Sequence, residues 1–227
     1  MKTTFRGAFA LAGLAVMSVA ACGGDSGGES ASSVDENNPL FRPAALAEEA
    51  PATYQARFET SKGAFTISVT RELAPLGADR FYTLVKNGYY DEVRFFRVID
   101  GFIAQWGMHA DPRITAVWRQ NPLMDEPVMA SNTRGTVTFA MGGPNSRTTQ
   151  VFVNFRDNAN LDDMGFAPFG EVTEGMDVVE QLYSGYGEGQ PRGNGPIQQN
   201  IMARGNDYLN EGFPDLDYIV SATIVGG

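Results

Sequence analysis

From Thr53 to Thr70 apolar residues fall on alternate positions, Tyr54, Ala56 and Phe58 and then Phe65, Ile67 and Val69, interrupted by Ser61-Lys62-Gly63. That period of two with a short polar break predicts a hairpin of half-buried strands over 53–70. The period then changes. Between Pro75 and Gly88, Phe81, Leu84 and Val85 stand at helical spacing, with Pro before the run and Gly after it, which predicts a helix. Short strand-like runs follow at 93–99, 135–140, 150–155 and 166–172, each bounded by Gly, Pro, Asn or Asp. A second helix is predicted over 175–183, where Met176, Val179 and Leu182 or Tyr183 line one face, and a closing strand over 218–225. Many short strands, two helices and no βαβ alternation predict a mainly β chain, an antiparallel barrel or sandwich. The stretch 185–217 holds a Gly-rich loop and then Ile197, Ile201, Tyr208 and Leu209 at helical spacing. This predicts an extra helix near 197–210, weakened by Gly205 inside it.

The first 51 residues have a different pattern. Lys2 and Arg6 precede an uncharged stretch, 7–21, that is shorter than the roughly 20 residues a spanning helix needs, so residues 1–21 are expected to be an export signal. It ends in Val19-Ala20-Ala21-Cys22, which resembles a bacterial lipobox, with the chain's single Cys where a diacylglycerol would be attached. Residues 22–51, rich in Gly, Ser, Glu, Asp and Asn, are expected to be a flexible tether from lipidated Cys22, leaving 52–227 as the folded domain. The expected location is the bacterial cell envelope, exported and lipid-anchored, on the periplasmic face in a Gram-negative cell.

Composition narrows the chemistry. The net charge is −10, and Lys2, Lys62 and Lys86 are the only lysines, so there is no basic stripe for phosphates and nucleic acid is not an expected partner. One Cys and one His leave no disulfide framework and too few soft ligands for zinc, so no metal is expected. The string Gly24-Asp25-Ser26-Gly27-Gly28 matches the surroundings of a protease nucleophile. We reject it as a site, because a nucleophilic Ser needs a base and an orienting carboxylate on a rigid scaffold, and this Ser lies in low-complexity sequence. Gly185, Gly187 and Gly189 lack the flanking strand and helix of a dinucleotide fingerprint.

Three blocks carry a more specific signal. The first runs Phe95-Phe96-Arg97-Val98-Ile99-Asp100-Gly101-Phe102-Ile103-Ala104-Gln105. The second is Ala140-Met141-Gly142-Gly143-Pro144-Asn145-Ser146 with Thr149-Gln150-Val151-Phe152-Val153, and the third is Leu161-Asp162, Phe169-Gly170-Glu171-Val172 and Gly175-Met176. Together they resemble the core motifs of the cyclophilin family in order and spacing. The resemblance implies a closed eight-stranded antiparallel barrel capped by two helices, and peptidyl-prolyl cis-trans isomerase (rotamase) activity.

Rotation about an X-Pro bond crosses a barrier near 18–20 kcal/mol because the planar amide loses resonance as it twists. No bond is made or broken, so neither nucleophile nor cofactor is required. What helps is a donor that interacts more strongly with the twisted state, beside a dry pocket that grips the ring. By resemblance, Arg97 supplies that donor and Gln105 positions Arg97 or the substrate carbonyl. Phe102, Ile103, Phe152 and Leu161 line the proline pocket, and Met141 and Gln150 complete the substrate-binding set. The expected partners are Pro-containing segments of exported proteins, whose folding the enzyme would assist as a monomer. The alternative is a non-catalytic module that binds such segments at the envelope; the presence of Arg97, Gln105 and Phe152 favours the enzyme. The sequence departs from the family pattern at Phe96 (usually His), Asp100 (Pro), Trp106 (Gly) and Asn160 (Trp in several members). Trp106 is expected to crowd the pocket rim and alter substrate choice, and His109 to be an ordinary surface or loop residue outside the site.

Overall fold

The structure, a computed structural model, describes residues 1–2 and 37–226. The expected export signal, the lipidation position Cys22 and most of the expected tether lie outside the described residues. Strands β1 (Thr53–Thr60) and β2 (Gly63–Thr70) form the predicted hairpin, with Thr60 paired to Gly63 across the two-residue turn. Its alternation is real. Tyr54, Ala56, Phe58 and Thr60 point inward on β1, and Phe58 stacks on Phe65 of β2 with ring centroids 5.0 Å apart. Helix α1 (Pro75–Lys86) sets Phe81, Leu84 and Val85 on the same core, and the buried Tyr54 hydroxyl donates to Ala78 O at 2.6 Å. Its first-turn amides, Leu76 N and Gly77 N, are satisfied by the distant carboxylate of Glu126 at 2.6 and 3.0 Å.

Six further strands follow: β3 (Arg97–Ile99), β4 (Ile103–Trp106), β5 (Thr136–Phe139), β6 (Val151–Asn154), β7 (Pro168–Glu174) and β8 (Ile219–Gly226). All pairings are antiparallel, in the order β3-β4-β6-β5-β7-β2-β1-β8. The expected closed barrel is corrected here, because β3 and β8 end the ladder and do not pair as strands. Instead the irregular residues 92–95 meet 217–219, with Glu92 N donating to Ile219 O at 2.8 Å and Phe95 N to Asp217 O at 3.0 Å. The strand expected over 93–99 is therefore regular only from Arg97 onward. Strand β4 was not anticipated, because its four residues are all buried and show no alternation.

The two expected helices and the extra one near 197–210 become five α-helices among the described residues. Helix α3 (Met176–Glu180) is a shortened form of the second predicted helix. Helix α2 (Pro112–Arg119) was missed, although Asp111 caps it by accepting from Arg113 N at 2.9 Å and Pro112 stands at its start. The single helix expected over 197–210 is two, α4 (Gln198–Arg204) and α5 (Asn206–Gly212). They break at Gly205, whose φ of +56° and ψ of −137° suit only glycine, and where a Cβ would lie 2.0 Å from Ala110 O. The expected tether also ends earlier than Pro51. Leu40 and Ala50 are buried in the main core, Leu40 O accepts from the buried Trp118 indole at 2.9 Å, and Ala50 N donates to Asp79 at 2.9 Å. Among the described residues no helix is long and apolar enough to cross a membrane.

A second apolar cluster lies apart from the barrel core: Phe96, Met108, Ile201, Leu209, Phe213 and Leu216. Phe96 is its barrel-side anchor. Truncating Phe96 to Ala is expected to lower the unfolding free energy by about 3–4 kcal/mol in urea titrations, as for other fully buried aromatics. Amide exchange should accelerate first in α4 and α5, which contribute Ile201 and Leu209 to the same cluster.

Candidate active site

A cavity of about 780 Å³ opens on the outer face of β3, β4 and β6, and all eight residues expected from the sequence to form the site line it: Arg97, Phe102, Ile103, Gln105, Met141, Gln150, Phe152 and Leu161. The sheet register explains most of this convergence. Arg97 pairs with Gln105 across β3 and β4, and Gln105 pairs with Phe152 across β4 and β6, so the three form one row. Ile103, two residues before Gln105, shares its face. Ile103, Phe152 and Leu161 make a compact apolar cluster with Phe102, Ala140 and Phe166 around it, and Phe152 meets Phe166 edge-on at 5.8 Å.

The polar side of the cavity is a single chain of hydrogen bonds. Arg97 Nη1 donates to Gln105 Oε1 at 3.0 Å, and Gln105 Nε2 donates to Gln150 Oε1 at 2.9 Å. The other edge of the guanidinium faces Glu188, with Nε donating to Oε1 at 2.8 Å and Nη2 to Oε2 at 2.7 Å. This fork-to-fork pair holds the Glu188 carboxyl below the usual range for glutamate. Sequence reasoning missed Glu188, since it lies in the 185–197 loop far from every motif. It also missed Arg192, which lines the same cavity 3.9 Å from Glu188.

Beneath the apolar cluster, three fully buried asparagines tie its loops together. Asn158 Nδ2 donates to Phe102 O at 3.2 Å and to Asn154 Oδ1 at 2.8 Å, while Asn132 Nδ2 donates to Phe166 O at 2.8 Å and to Asp162 Oδ1 at 2.7 Å. Asn154 Nδ2 closes the set on Asn132 Oδ1 at 3.2 Å. The segment carrying Met141 is held by a buried ion pair, Arg147 to Glu126 at 2.9 Å, and by Asn145 N donating to Asp125 at 2.9 Å.

One expectation is corrected and a second is refined. Trp106 does not touch the rim: it is fully buried in the main core, edge-on to Phe58, Phe65 and Phe95, because it faces the opposite side of β4 from Gln105. His109 lies in a loop, as expected, and is only partly exposed. Its ring packs against Tyr89 at 5.2 Å, its Nδ1 accepts from Asp111 N at 2.9 Å, and burial pushes its pKa down to about 4. It does lie outside the residues lining the cavity.

The chain was compared with known proteins. The family model for cyclophilin type peptidyl-prolyl cis-trans isomerases matches residues 55–202. A peptidyl-prolyl cis-trans isomerase of Acinetobacter baylyi is 34% identical over 146 residues, which is 60% of this chain and 76% of the relative. Peptidyl-prolyl cis-trans isomerase B of Escherichia coli is 33% identical over 134 residues, covering 55% of this chain and 81% of its own. Among solved structures, a cyclophilin type isomerase of Cryptosporidium parvum superposes with a TM-score of 0.55 at 21% identity, over 77% of this chain and 99% of that one. A second structure of the same protein, determined in the presence of the dipeptide Ala-Pro, gives a TM-score of 0.54 at 21% identity over 76% of this chain and 99% of that one.

The His109 environment generates a stability prediction. The group's pKa falls from 6.5 to about 4, so the unfolded chain binds the proton more readily. His109 therefore contributes stability that is complete above about pH 6.5 and is lost as the pH falls through 4, by at most about 3 kcal/mol. His109→Asn, which keeps an acceptor for the Asp111 amide, should flatten this part of the stability profile measured by urea unfolding between pH 4 and 7. An unchanged profile would remove His109 from the account.

Proposed function

The chain belongs to the cyclophilin-type peptidyl-prolyl cis-trans isomerases, and on that premise we propose how its residues divide the work. The protein catalyses rotation about X-Pro bonds. Ile103, Phe152 and Leu161, flanked by Phe102, receive the proline ring on an apolar surface that excludes water from one side of the amide. Arg97 faces the same cavity and donates to the prolyl carbonyl or to the nitrogen as it becomes pyramidal and basic. The observation that carries this reading is the guanidinium's place beside the cluster, at 6.0 Å from the Phe102 ring and in the same row as Gln105 and Phe152.

Three of the five guanidinium N–H groups are engaged by Glu188 and Gln105, so donors remain for a substrate. Gln105, itself held by Gln150, fixes the guanidinium from the sheet side, and the segment at Met141 and Gln150 borders the substrate backbone. Because rotation transfers no proton, the catalytic groups need no titration near neutrality.

Arg97→Ala is expected to lower kcat/KM by on the order of 10²-fold, the effect of losing one preorganised donor. Arg97→Lys should rescue poorly, since a hydrated point charge lacks the planar fork. Isomerisation of a short Pro peptide by the full chain should be nearly flat from pH 6 to 8, and equally so in His109→Ala. An Arg97→Ala enzyme of undiminished rate, or a steep limb abolished by the His109 change, would overturn this reading.

The substrates we propose are Pro-containing segments of exported proteins, met at the cell envelope. What supports this is the basic start at Lys2 and Arg6, the uncharged 7–21 stretch, and Val19-Ala20-Ala21 before the chain's single Cys. More than one acyl chain on Cys22 would anchor the protein stably without any basic patch. Cys22→Ser should release the protein from membranes or block processing in cell fractionation; a mutant still processed and membrane-bound would refute the anchor.

A further inference from the structure

We propose that Glu188 is a positioning residue for the isomerase site: it orients the Arg97 guanidinium so that the two N–H groups not engaged by Glu188 or Gln105 are presented to the bound peptide. This rests on the reading of Arg97 as the catalytic donor. A long Arg side chain at a half-open cavity would ordinarily sample several rotamers, and each misaligned one would forfeit the donor. Here both ends of the fork are taken. Glu188 grips the Nε and Nη2 edge at 2.8 and 2.7 Å, and Gln105 takes Nη1 at 3.0 Å, which defines the plane of the group. Both side chains are largely shielded, 18% exposed for Arg97 and 23% for Glu188, so water competes weakly for the pair.

The loop is built to present this carboxylate. Glu188 Oε1 also accepts from Gly189 N at 2.9 Å, and Glu188 O accepts from Gly195 N at 2.8 Å, folding the loop back on itself. The fold-back is tight. A Cβ on Gly193 would lie 2.3 Å from Glu188 O, so only glycine permits the approach at that position. A carboxylate with its main chain and one oxygen so constrained suits a fixed brace.

The test uses the full chain and separates kcat from KM by exchange NMR on a short Pro peptide, with Arg97→Ala measured in parallel. Glu188→Gln keeps the size of the side chain but sets an amide NH2 against the guanidinium donors. It is expected to lower kcat about tenfold with KM changed less than about twofold, a smaller effect than loss of the donor itself. The Arg97 Nε–H signal, which the Glu188 hydrogen bond is expected to make resolved and slowly exchanging in the wild type, should be lost or shifted. Gly193→Ala, which alters no functional group but displaces the Glu188 main chain, should lower kcat in the same direction. A Glu188→Gln enzyme with wild-type or faster kcat overturns the inference, as does a slower one whose Arg97 signal is unmoved. If Arg97→Ala itself is unimpaired, it is the assignment of the donor that fails; if Arg97→Ala is slow and Glu188→Gln is not, only the role of Glu188 does.

Discussion

Successive side chains on a strand point to opposite faces, and in β4 both of those faces are buried. Ala104 and Trp106 enter the aromatic core, while Ile103 and Gln105 turn to the cavity. The site depends on this partition. A slip of one residue in the pairing of β4 with β6 would place a Trp ring in the cavity and an amide in the core. The aromatic packing of Trp106 with Phe58, Phe65 and Phe95 opposes such a slip, even though the indole N–H has no hydrogen-bond partner. That unsatisfied donor is a cost the core tolerates because the ring fills its centre.

The second support is polar and lies below the apolar cluster. Phe102 and Phe166 sit on irregular backbone and Leu161 ends a single 3-10 turn (Ala159–Leu161), so no strand ladder holds any of them in place. The network of Asn132, Asn154, Asn158 and Asp162 takes over that task by bonding Phe102 O and Phe166 O directly. Buried amides with every partner made are stiff, because an alternative arrangement would leave one of them unsatisfied. Glu126 plays a comparable part on the other side, where one carboxylate joins the start of α1 to the buried Arg147.

Two of the departures from the family pattern, Trp106 and Phe96, are accounted for by where their rings are buried. Phe96 stands where the family usually has His, and it is buried in the same apolar cluster as Ile201, Leu209 and Phe213. An imidazole would bring polar nitrogens into that apolar cluster. The same extra segment that needs Phe96 also brings Glu188 to Arg97. Phe96 immediately precedes Arg97, the first residue of the edge strand, and the two divide between neighbouring surroundings: Phe96 is buried in the apolar cluster with Ile201 and Leu209, and Arg97 receives the Glu188 carboxylate.

Eight of the residues that line the cavity were legible in the sequence, and so was the hairpin at 53–70, because a period of two and a compact set of motifs are local signals. Helix α1 was legible for the same reason, with Pro and Gly at its limits. Other features depended on partners distant in the chain. Strand β4 has no alternation to read, since burial on both faces erases it. The break at Gly205 comes from Ala110 O lying against the backbone, and the packing of Leu40 comes from Trp118, 78 residues away. Whether the ladder closes was decided by irregular pairing of 92–95 with 217–219, which propensity does not encode. Glu188 belongs to this second group: a carboxylate in a Gly-rich loop has no sequence mark of its purpose, and only the fold, across 91 residues, gives it a guanidinium to hold.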